Sequence, residues 1–87
     1  MRIIFTDKAW KEYKYWLLED RRMLKTINAL IKDIRTKPYV GLGKPEPLKF
    51  DLKRIWSRRI NQEHRIVYNV REQDIKFYSC RYHYDNL

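Results

Sequence analysis

The sequence has few residues of the kinds that form disulfides, metal sites and phosphate-binding loops. It contains one cysteine and two histidines, so an internal disulfide is impossible and a metal site is not predicted. Only two glycines occur, and the segment GLGK lacks the helix signal that follows a phosphate-binding glycine loop. We therefore predict neither a metal nor any other cofactor.

Long apolar runs are also missing. No segment approaches the roughly 20 apolar residues of a membrane-spanning helix. The beginning of the chain, MRIIFTDKAW, lacks the apolar stretch and the cleavage site of a signal peptide. These features and the single cysteine predict a cytoplasmic protein with no membrane partner. The length predicts one domain that spans residues 1–87.

Basic residues, in contrast, are abundant. Twenty Lys and Arg oppose 11 Asp and Glu, which gives a formal net charge of +9. Six of the ten arginines lie beyond residue 53, and arginine suits bidentate contact with phosphate. The charge predicts a polyanionic partner, with nucleic acid first. An aromatic content of 15% argues against disorder.

The first half of the chain predicts a short strand and two helices. The segment RIIF at 2–5 has the composition of a strand, Thr6 or Asp7 can cap the first helix, and Asp20 can cap the second. Each helix has an apolar stripe at helical spacing. The stripe of the first helix is Trp10, Tyr13 and Leu17, and that of the second is Met23, Leu24, Ile27, Leu30, Ile31 and Ile34. Pro38 ends the second helix.

The second half predicts strands. Residues 54–60, 65–71 and 75–84 are rich in β-branched and aromatic residues, and short polar turns separate them. Residues 38–50 hold every proline and glycine of the chain and predict a loop. The predicted fold class is therefore α+β, with two N-terminal helices packed on a small, mainly antiparallel β-sheet.

Strand alternation predicts which polar residues share a face of this sheet. It puts Phe77, Ser79, Arg81 and His83 on one face of the last strand. Arg65 of the neighbouring strand points away from the core, so we expect it on the same open face as Arg81 and His83. The further polar residues expected there are Glu46, Lys49, Glu63, and either Arg58 or Arg59.

A carboxylate, a histidine and several arginines are sufficient to cleave RNA. The carboxylate accepts the proton of a 2′-hydroxyl, cationic side chains stabilise the phosphorane, and histidine protonates the leaving 5′-oxygen. Each residue also has a structural interpretation: Glu46 as a loop acid, His83 as a surface histidine, and Tyr84 as packing. Cys80 is predicted to fill the core and not to act as a nucleophile. The residues alone leave both nucleic-acid binding and catalysis open.

Four motifs resemble the YoeB/Txe toxins of bacterial toxin–antitoxin systems. They are KPEPLK at 44–49, WSRRI at 56–60, EHRIVY at 63–68 and CRYHY at 80–84, in this order and spacing. The resemblance implies a RelE-like fold and a ribosome-dependent endonuclease that cleaves mRNA in the A site. It implies that Glu46 is the general base, Arg65 the transition-state arginine and His83 the general acid, with Tyr84 as an aromatic that places a base or phosphate. The supporting, phosphate-binding set predicted with them is Lys49, Arg59, Glu63 and Arg81.

The resemblance also implies partners. We expect a YefM/Axe-type antitoxin whose disordered part wraps the toxin, a homodimer, and contact with operator DNA only through the antitoxin complex. Two alternatives stay open. A toxin of the same fold that inhibits DNA gyrase, as ParE-like toxins do, needs no acid–base pair. A non-catalytic module that binds the ribosome or RNA explains the charge and the aromatic residues equally well.

Overall fold

The computed structural model describes residues 1–48 and 54–82, which form seven elements. They are β1 (Arg2–Phe5), α1 (Asp7–Glu19), α2 (Arg21–Thr36), β2 (Glu46–Pro47), β3 (Ile55–Arg59), β4 (Arg65–Val70) and β5 (Asp74–Ser79). The predicted site residues Lys49, His83 and Tyr84 lie outside the described residues. Neither helix of the described ranges is long and apolar enough to cross a membrane.

The sheet has five strands in the order β1-β5-β4-β3-β2. β1 pairs parallel with β5, and the other neighbours pair antiparallel. The predicted α+β class with two helices on a mainly antiparallel sheet is confirmed. The sequence did not predict β2, a two-residue strand inside the proline- and glycine-rich loop, because it is defined by its pairing with β3 and not by a pattern of its own.

Capping side chains begin both helices at the predicted residues. Thr6 accepts a hydrogen bond from the N–H of Ala9 and begins α1. Asp20 ends α1 through its own N–H, which donates to Trp16 O, and its carboxylate accepts from the N–H groups of Arg22 and Met23 to begin α2. Asp20 alone therefore joins α1 to α2, because its side chain accepts hydrogen bonds from N–H groups that the start of a helix leaves unpaired.

The helices contribute one face each to the core. The stripe predicted for α2 is confirmed, with Ile27, Leu30 and Ile34 buried. The stripe predicted for α1 is confirmed for Tyr13, which packs against the core, but not for Trp10 and Leu17, which are 47% and 39% exposed, whereas Ala9 and Trp16 are buried. Aromatic and aliphatic residues surround α1, so spacing alone did not select its buried face. Trp16 turns inward because its indole N–H donates to Cys80 O at 2.9 Å.

A β-bulge changes the face assignment of the last strand. Tyr68 pairs with Phe77, but Val67 pairs with Ser79, so Tyr78 is an extra residue in β5. Phe77 therefore packs in the core with Tyr68, while Ser79 shares the opposite face with Val67. The predicted common face of Phe77, Ser79 and Arg81 was wrong, because the bulge breaks the alternation and β5 ends at Ser79.

Arg58 is a fully buried charge on the helix-facing side of the sheet. Its guanidinium donates to the Asp33 carboxylate of α2 and to the Tyr68 hydroxyl. It also donates to three carbonyl oxygens of the segment that follows α2, those of Lys37, Val40 and Leu42. A buried charge is tolerated when it is paired and its donors are satisfied, and both conditions hold here.

The backbone at Gly41 passes against this network. Its φ of 122° is unfavourable for other residues, and an added Cβ would lie 2.2 Å from Asp33 Oδ2. The next residue, Leu42, donates its N–H to the same carboxylate oxygen at 3.0 Å. The loop between α2 and β2 is thus tied to both α2 and β3, and it leads directly to Glu46.

Replacing Arg58 by Met retains much of the side-chain volume but removes the charge and all hydrogen bonds of the guanidinium. We expect the free energy of unfolding at neutral pH to fall by about 3–5 kcal/mol, as when one side of a buried ion pair is removed. Chemical denaturation measures the change. Arg35→Met, on an exposed position of α2, is the matched control and should stay close to wild type.

The same variant should also change the pH dependence. The hydrogen bond from Arg58, followed by that from the Leu42 N–H, lowers the pKa of Asp33 from 3.8 to about 2. A carboxyl with a lowered pKa stabilises the fold above its unfolded value and loses this contribution as the pH falls through the folded value. Wild type should therefore lose stability between pH 3.8 and about 2, and Arg58→Met should lose the largest part of this component, while the Leu42 N–H keeps a smaller part. Equal slopes in both proteins would contradict the pairing.

Candidate active site

The face of the sheet opposite the helices presents a row of residues aligned by strand register. Glu46 of β2 pairs with Ser57 of β3, Ser57 with Val67 of β4, and Val67 with Ser79 of β5. Paired residues in neighbouring strands point to the same side of a sheet. We call this side the open face, and the candidate site lies at its β2–β4 end.

An ion pair between Glu46 and Arg65 is the centre of the candidate site. Glu46 Oε1 lies 3.1 Å from Arg65 Nη1, and the same nitrogen donates to the Ser57 hydroxyl at 3.3 Å. The Glu46 side chain is 51% exposed and that of Arg65 is 15% exposed. The Ser57 hydroxyl therefore helps to fix the Arg65 guanidinium, while the half-exposed Glu46 carboxylate remains accessible to a ligand.

Local backbone features bring Glu46 to this position. The loop after α2 is fixed by Arg58, and Gly43 O accepts the N–H of Arg59 at 2.7 Å. Beyond Glu46, the N–H of Leu48 donates to Ile55 O at 3.0 Å, which closes the β2–β3 pair. These hydrogen bonds hold Glu46 beside the central strands although its own strand has only two residues.

The chain after β5 returns to the start of β4. The Tyr82 carbonyl accepts the N–H of Arg65 at 3.0 Å, and the Tyr82 N–H donates to His64 Nδ1 at 2.7 Å. Arg65 thus contacts Glu46 through its side chain and Tyr82 through its backbone. His83 and Tyr84 follow Tyr82 in the sequence, and their roles remain predictions.

The supporting residues that the structure describes fall into two groups. Arg59 is exposed and is the cross-strand partner of Arg65, so a second cation lies on the open face. Glu63 lies in the turn before β4 with its side chain 70% exposed, 3.4 Å from His64 Nε2. Both lie near the Glu46–Arg65 pair in the fold, Arg59 on its face and Glu63 at the end of its strand.

Arg81 does not lie where alternation predicts. Its guanidinium carbon lies 3.6 Å from the ring centre of Tyr15 in α1 and 4.7 Å from that of Tyr82. The predicted position of Arg81 beside Arg65 on the open face was wrong, because the strand ends before Arg81 and the cation stacks on aromatic rings instead.

The structure also decides between Arg58 and Arg59. They are adjacent in β3 and point to opposite faces, so only Arg59 joins Arg65. Arg58 is a core residue. Sequence alternation separated the two but did not say which side faces the helices.

Cys80 belongs to the core, as predicted. It is 1% exposed, and burial, with a further effect of the Glu12 charge, raises the pKa of its thiol to about 12. A buried thiol with a raised pKa forms little of the nucleophilic thiolate. Among residues 1–48 and 54–82, no group of three His, Cys, Asp or Glu is arranged to hold a metal ion.

The chemistry available at the open face is that of a carboxylate acceptor beside a guanidinium. A carboxylate at hydrogen-bond distance from a substrate hydroxyl can accept its proton. The adjacent arginine can stabilise negative charge that develops on a phosphate. The described site therefore holds two of the groups that phosphodiester cleavage needs.

Comparison with known proteins assigns the family. A family model described as a YoeB-like toxin of a bacterial type II toxin–antitoxin system matches residues 5–84. The chain is 50% identical to Toxin YoeB of Escherichia coli (strain K12) over 84 residues, which cover 97% of this chain and 100% of that protein. This chain belongs to the YoeB toxin family. It is a toxin of a type II toxin–antitoxin system, and the family resemblance of its four motifs is confirmed.

Solved YoeB structures share the fold. The YoeB dimer from Staphylococcus aureus has a TM-score of 0.90 and 47% identity, with 97% of this chain and 98% of that chain covered. A chain of the heterotetrameric YoeB-YefM toxin–antitoxin complex from the same organism has a TM-score of 0.86 and 47% identity, with the same coverage. The α+β architecture described above is thus the architecture of YoeB toxins.

Sequence reasoning did not assign the roles of three residues that shape this YoeB-type site. Ser57 supports Arg65, Arg58 holds the loop before Glu46, and His64 holds Tyr82. The alternation of β3 contained a signal for Ser57, which is two residues from Arg59. His64 gave no usable signal, because its burial depends on α1 and on the chain after β5.

The exposure of the Glu46–Arg65 pair predicts a small contribution to stability. Exposed ion pairs contribute about 0–1 kcal/mol, so Glu46→Gln should change the free energy of unfolding by less than about 1 kcal/mol. Chemical denaturation of Glu46→Gln and of Arg58→Met, measured under the same conditions, compares an exposed ion pair with a buried one. A loss for Glu46→Gln as large as that for Arg58→Met would make Glu46 a structural residue.

Proposed function

We propose that this toxin is a ribosome-dependent endoribonuclease that cleaves mRNA in the ribosomal A site and so inhibits translation in the cytoplasm. The observation on which the proposal rests is the contact of Glu46 with Arg65 on the open face, 3.1 Å apart. The Arg65 N–H also bonds to Tyr82, the residue before His83. Arg65 is therefore connected to the candidate base, Glu46, through its side chain, and to the residue before the candidate acid, His83, through its backbone.

In the proposed reaction Glu46 accepts the proton of the 2′-hydroxyl of the mRNA. The 2′-oxygen attacks the adjacent phosphorus, and the bond from phosphorus to the 5′-oxygen breaks. The carboxylate suits this role because it is half exposed and is oriented by a neighbour that is itself fixed by Ser57. The products are a 2′,3′-cyclic phosphate and a 5′-hydroxyl, since the attacking oxygen is internal to the RNA.

Arg65 stabilises the phosphorane, and His83 protonates the leaving 5′-oxygen. A guanidinium that is already held by a hydrogen bond needs little reorganisation when charge develops, which favours the transition state. Histidine suits proton donation because its unperturbed pKa is about 6.5. In the same proposal Tyr84 places a base or phosphate, and Lys49, Arg59 and Glu63 support RNA binding.

The proposed partners follow from the relatives and from the charge. The S. aureus structures of a YoeB dimer and of a YoeB-YefM heterotetramer support a homodimer and a YefM/Axe-type antitoxin here. The net charge of +9 supports contact with the ribosome and with mRNA. Operator DNA is contacted only through the antitoxin complex.

Arg65→Ala should lose cleavage but keep most of its affinity for ribosomes. Removal of one transition-state donor costs roughly 10²–10³ in rate at comparable sites, and one arginine is a small part of a phosphate-driven affinity.

His83→Gln removes the proposed proton donor for the leaving 5′-oxygen, so the cleavage rate should fall by roughly 10²–10⁴. Arg35→Ala removes one charge from exposed α2 and should cleave as wild type does. Primer extension on mRNA in a purified translation system measures cleavage, and co-sedimentation measures binding.

The outcomes separate the proposal from its alternatives. If mRNA stays intact in the presence of wild-type toxin, the proposed endoribonuclease activity is overturned. Accumulated DNA breaks would then indicate gyrase inhibition. Ribosome binding with neither effect would indicate a binding module. If Arg65→Ala cleaves less only in proportion to weaker ribosome binding, Arg65 is a docking residue.

The antitoxin should bind faster at low salt. The open face has Arg59 beside Arg65, and an acidic segment that covers them gains long-range attraction. We expect a Lys49→Ala, Arg59→Ala double variant to flatten the dependence of the association rate on ionic strength. Stopped-flow mixing measures the rates, with Lys32→Ala, Arg35→Ala on exposed α2 as the control of equal charge. Equal slopes in all three proteins would mean that the antitoxin binds elsewhere.

A further inference from the structure

We propose that His64 is a positioning residue for catalysis: its Nδ1 holds the backbone turn at Tyr82, and because Tyr82 bonds to the Arg65 backbone, this contact helps to keep Arg65 in place beside Glu46. The inference rests on the proposed function, because it concerns the geometry of the same reaction. The described hydrogen bonds connect His64 to Arg65 through Tyr82.

The imidazole of His64 is enclosed on several sides. The residue is 6% exposed, and the Trp16 ring of α1 meets it edge-on with the centroids 4.9 Å apart. The Asn61 side chain accepts the backbone N–H of His64 at 2.7 Å, which fixes the turn before β4. The Tyr82 ring lies at 5.4 Å. These contacts confine the ring, and its Nδ1 faces the chain after β5.

The contact with Tyr82 requires one tautomer of the imidazole. The Tyr82 N–H donates to Nδ1 at 2.7 Å, so Nδ1 presents its lone pair and the ring proton is on Nε2. Nε2 in turn lies 3.4 Å from Glu63 Oε1, an acceptor for that proton. Glu63, a predicted supporting residue, thus has a described contact that favours this tautomer of His64.

Tyr82 is a residue that needs such support. Its φ of 63° lies in the left-handed region, which is uncommon for a residue with a bulky side chain. Two consecutive residues hold this conformation. His64, just before β4, accepts the Tyr82 N–H, and the N–H of Arg65, the first residue of β4, donates to the Tyr82 carbonyl. The direction in which the chain leaves Tyr82 depends on these two hydrogen bonds.

The link to catalysis is that Arg65 takes part in both contacts. Its side chain is fixed against Glu46 and Ser57, and its N–H is fixed to Tyr82. If the His64 bond is lost, Tyr82 can turn about the remaining bond, and the Arg65 backbone that carries the guanidinium loses part of its support. A displacement of about 1 Å at a reacting group can cost about 10²-fold in rate.

Three substitutions separate the acceptor at Nδ1 from the bulk of the ring. In His64→Asn the amide oxygen reaches approximately the place of Nδ1 and can accept the Tyr82 N–H. In His64→Gln the amide reaches the place of Nε2 and leaves the Tyr82 N–H without this acceptor. His64→Leu retains an apolar side chain against Trp16 and has no acceptor at all.

The experiment measures the single-turnover rate of mRNA cleavage on programmed ribosomes, using the full-length toxin, together with ribosome affinity and the thermal midpoint. We expect His64→Asn to cleave within about threefold of wild type. We expect His64→Gln and His64→Leu to lose about 10²-fold in rate, with ribosome affinity unchanged. Hydrogen exchange at the Tyr82 amide should be slow in wild type and His64→Asn and fast in the other two.

The results distinguish the two hypotheses. No cleavage by wild type overturns the proposed function, and the exchange at Tyr82 still decides whether His64 holds that amide. Cleavage by wild type with equal losses in His64→Asn and His64→Gln overturns the positioning role. Losses that follow the thermal midpoint, or that appear as weaker ribosome binding, overturn it as well.

Discussion

The buried guanidinium of Arg58 is the interaction on which the rest of the site depends. It joins α2 through Asp33, β4 through Tyr68, and the loop after α2 through its carbonyl oxygens. That loop has no regular structure before β2, so its backbone carbonyls need donors from elsewhere. One side chain supplies several of them, and the loop can then present Glu46 at the edge of the sheet.

The two adjacent arginines of β3 show how one strand separates stability from function. Arg58 faces the helices, is fully buried and is surrounded by acceptors, whereas Arg59 is exposed beside Arg65 on the open face. A positive charge on the first side organises the fold. On the second side it contributes to the field that a nucleic acid or an acidic partner meets. The net charge of a toxin of this family therefore does not measure its capacity to bind RNA.

The start of β4 organises the candidate site in a similar way. Arg65 connects Glu46 and Tyr82, His64 holds Tyr82 from the preceding residue, and Asn61 fixes the turn that leads to both. The residues predicted from motifs thus depend on neighbours that the motifs did not assign a role. Trp10 and Leu17 of the α1 stripe and the face of Arg81 were predicted wrongly for a related reason, because the buried side of Trp16 and the end of β5 depend on contacts between distant segments.

The sequence by itself determined the two helices and the strands other than β2, a cap for the first helix at Thr6 or Asp7 and for the second at Asp20, the family, and the residue types able to perform phosphodiester chemistry. Local periodicity, capping chemistry and proline placement suffice for these, since they act over a few residues. Only the tertiary structure decided that Arg58 is a core residue, that Arg65 contacts Glu46, and that His64 holds Tyr82. The physical reason is that strand register and the bulge at Tyr78 are set by hydrogen bonds between strands, which local periodicity does not report, and a shift of one residue exchanges the two faces.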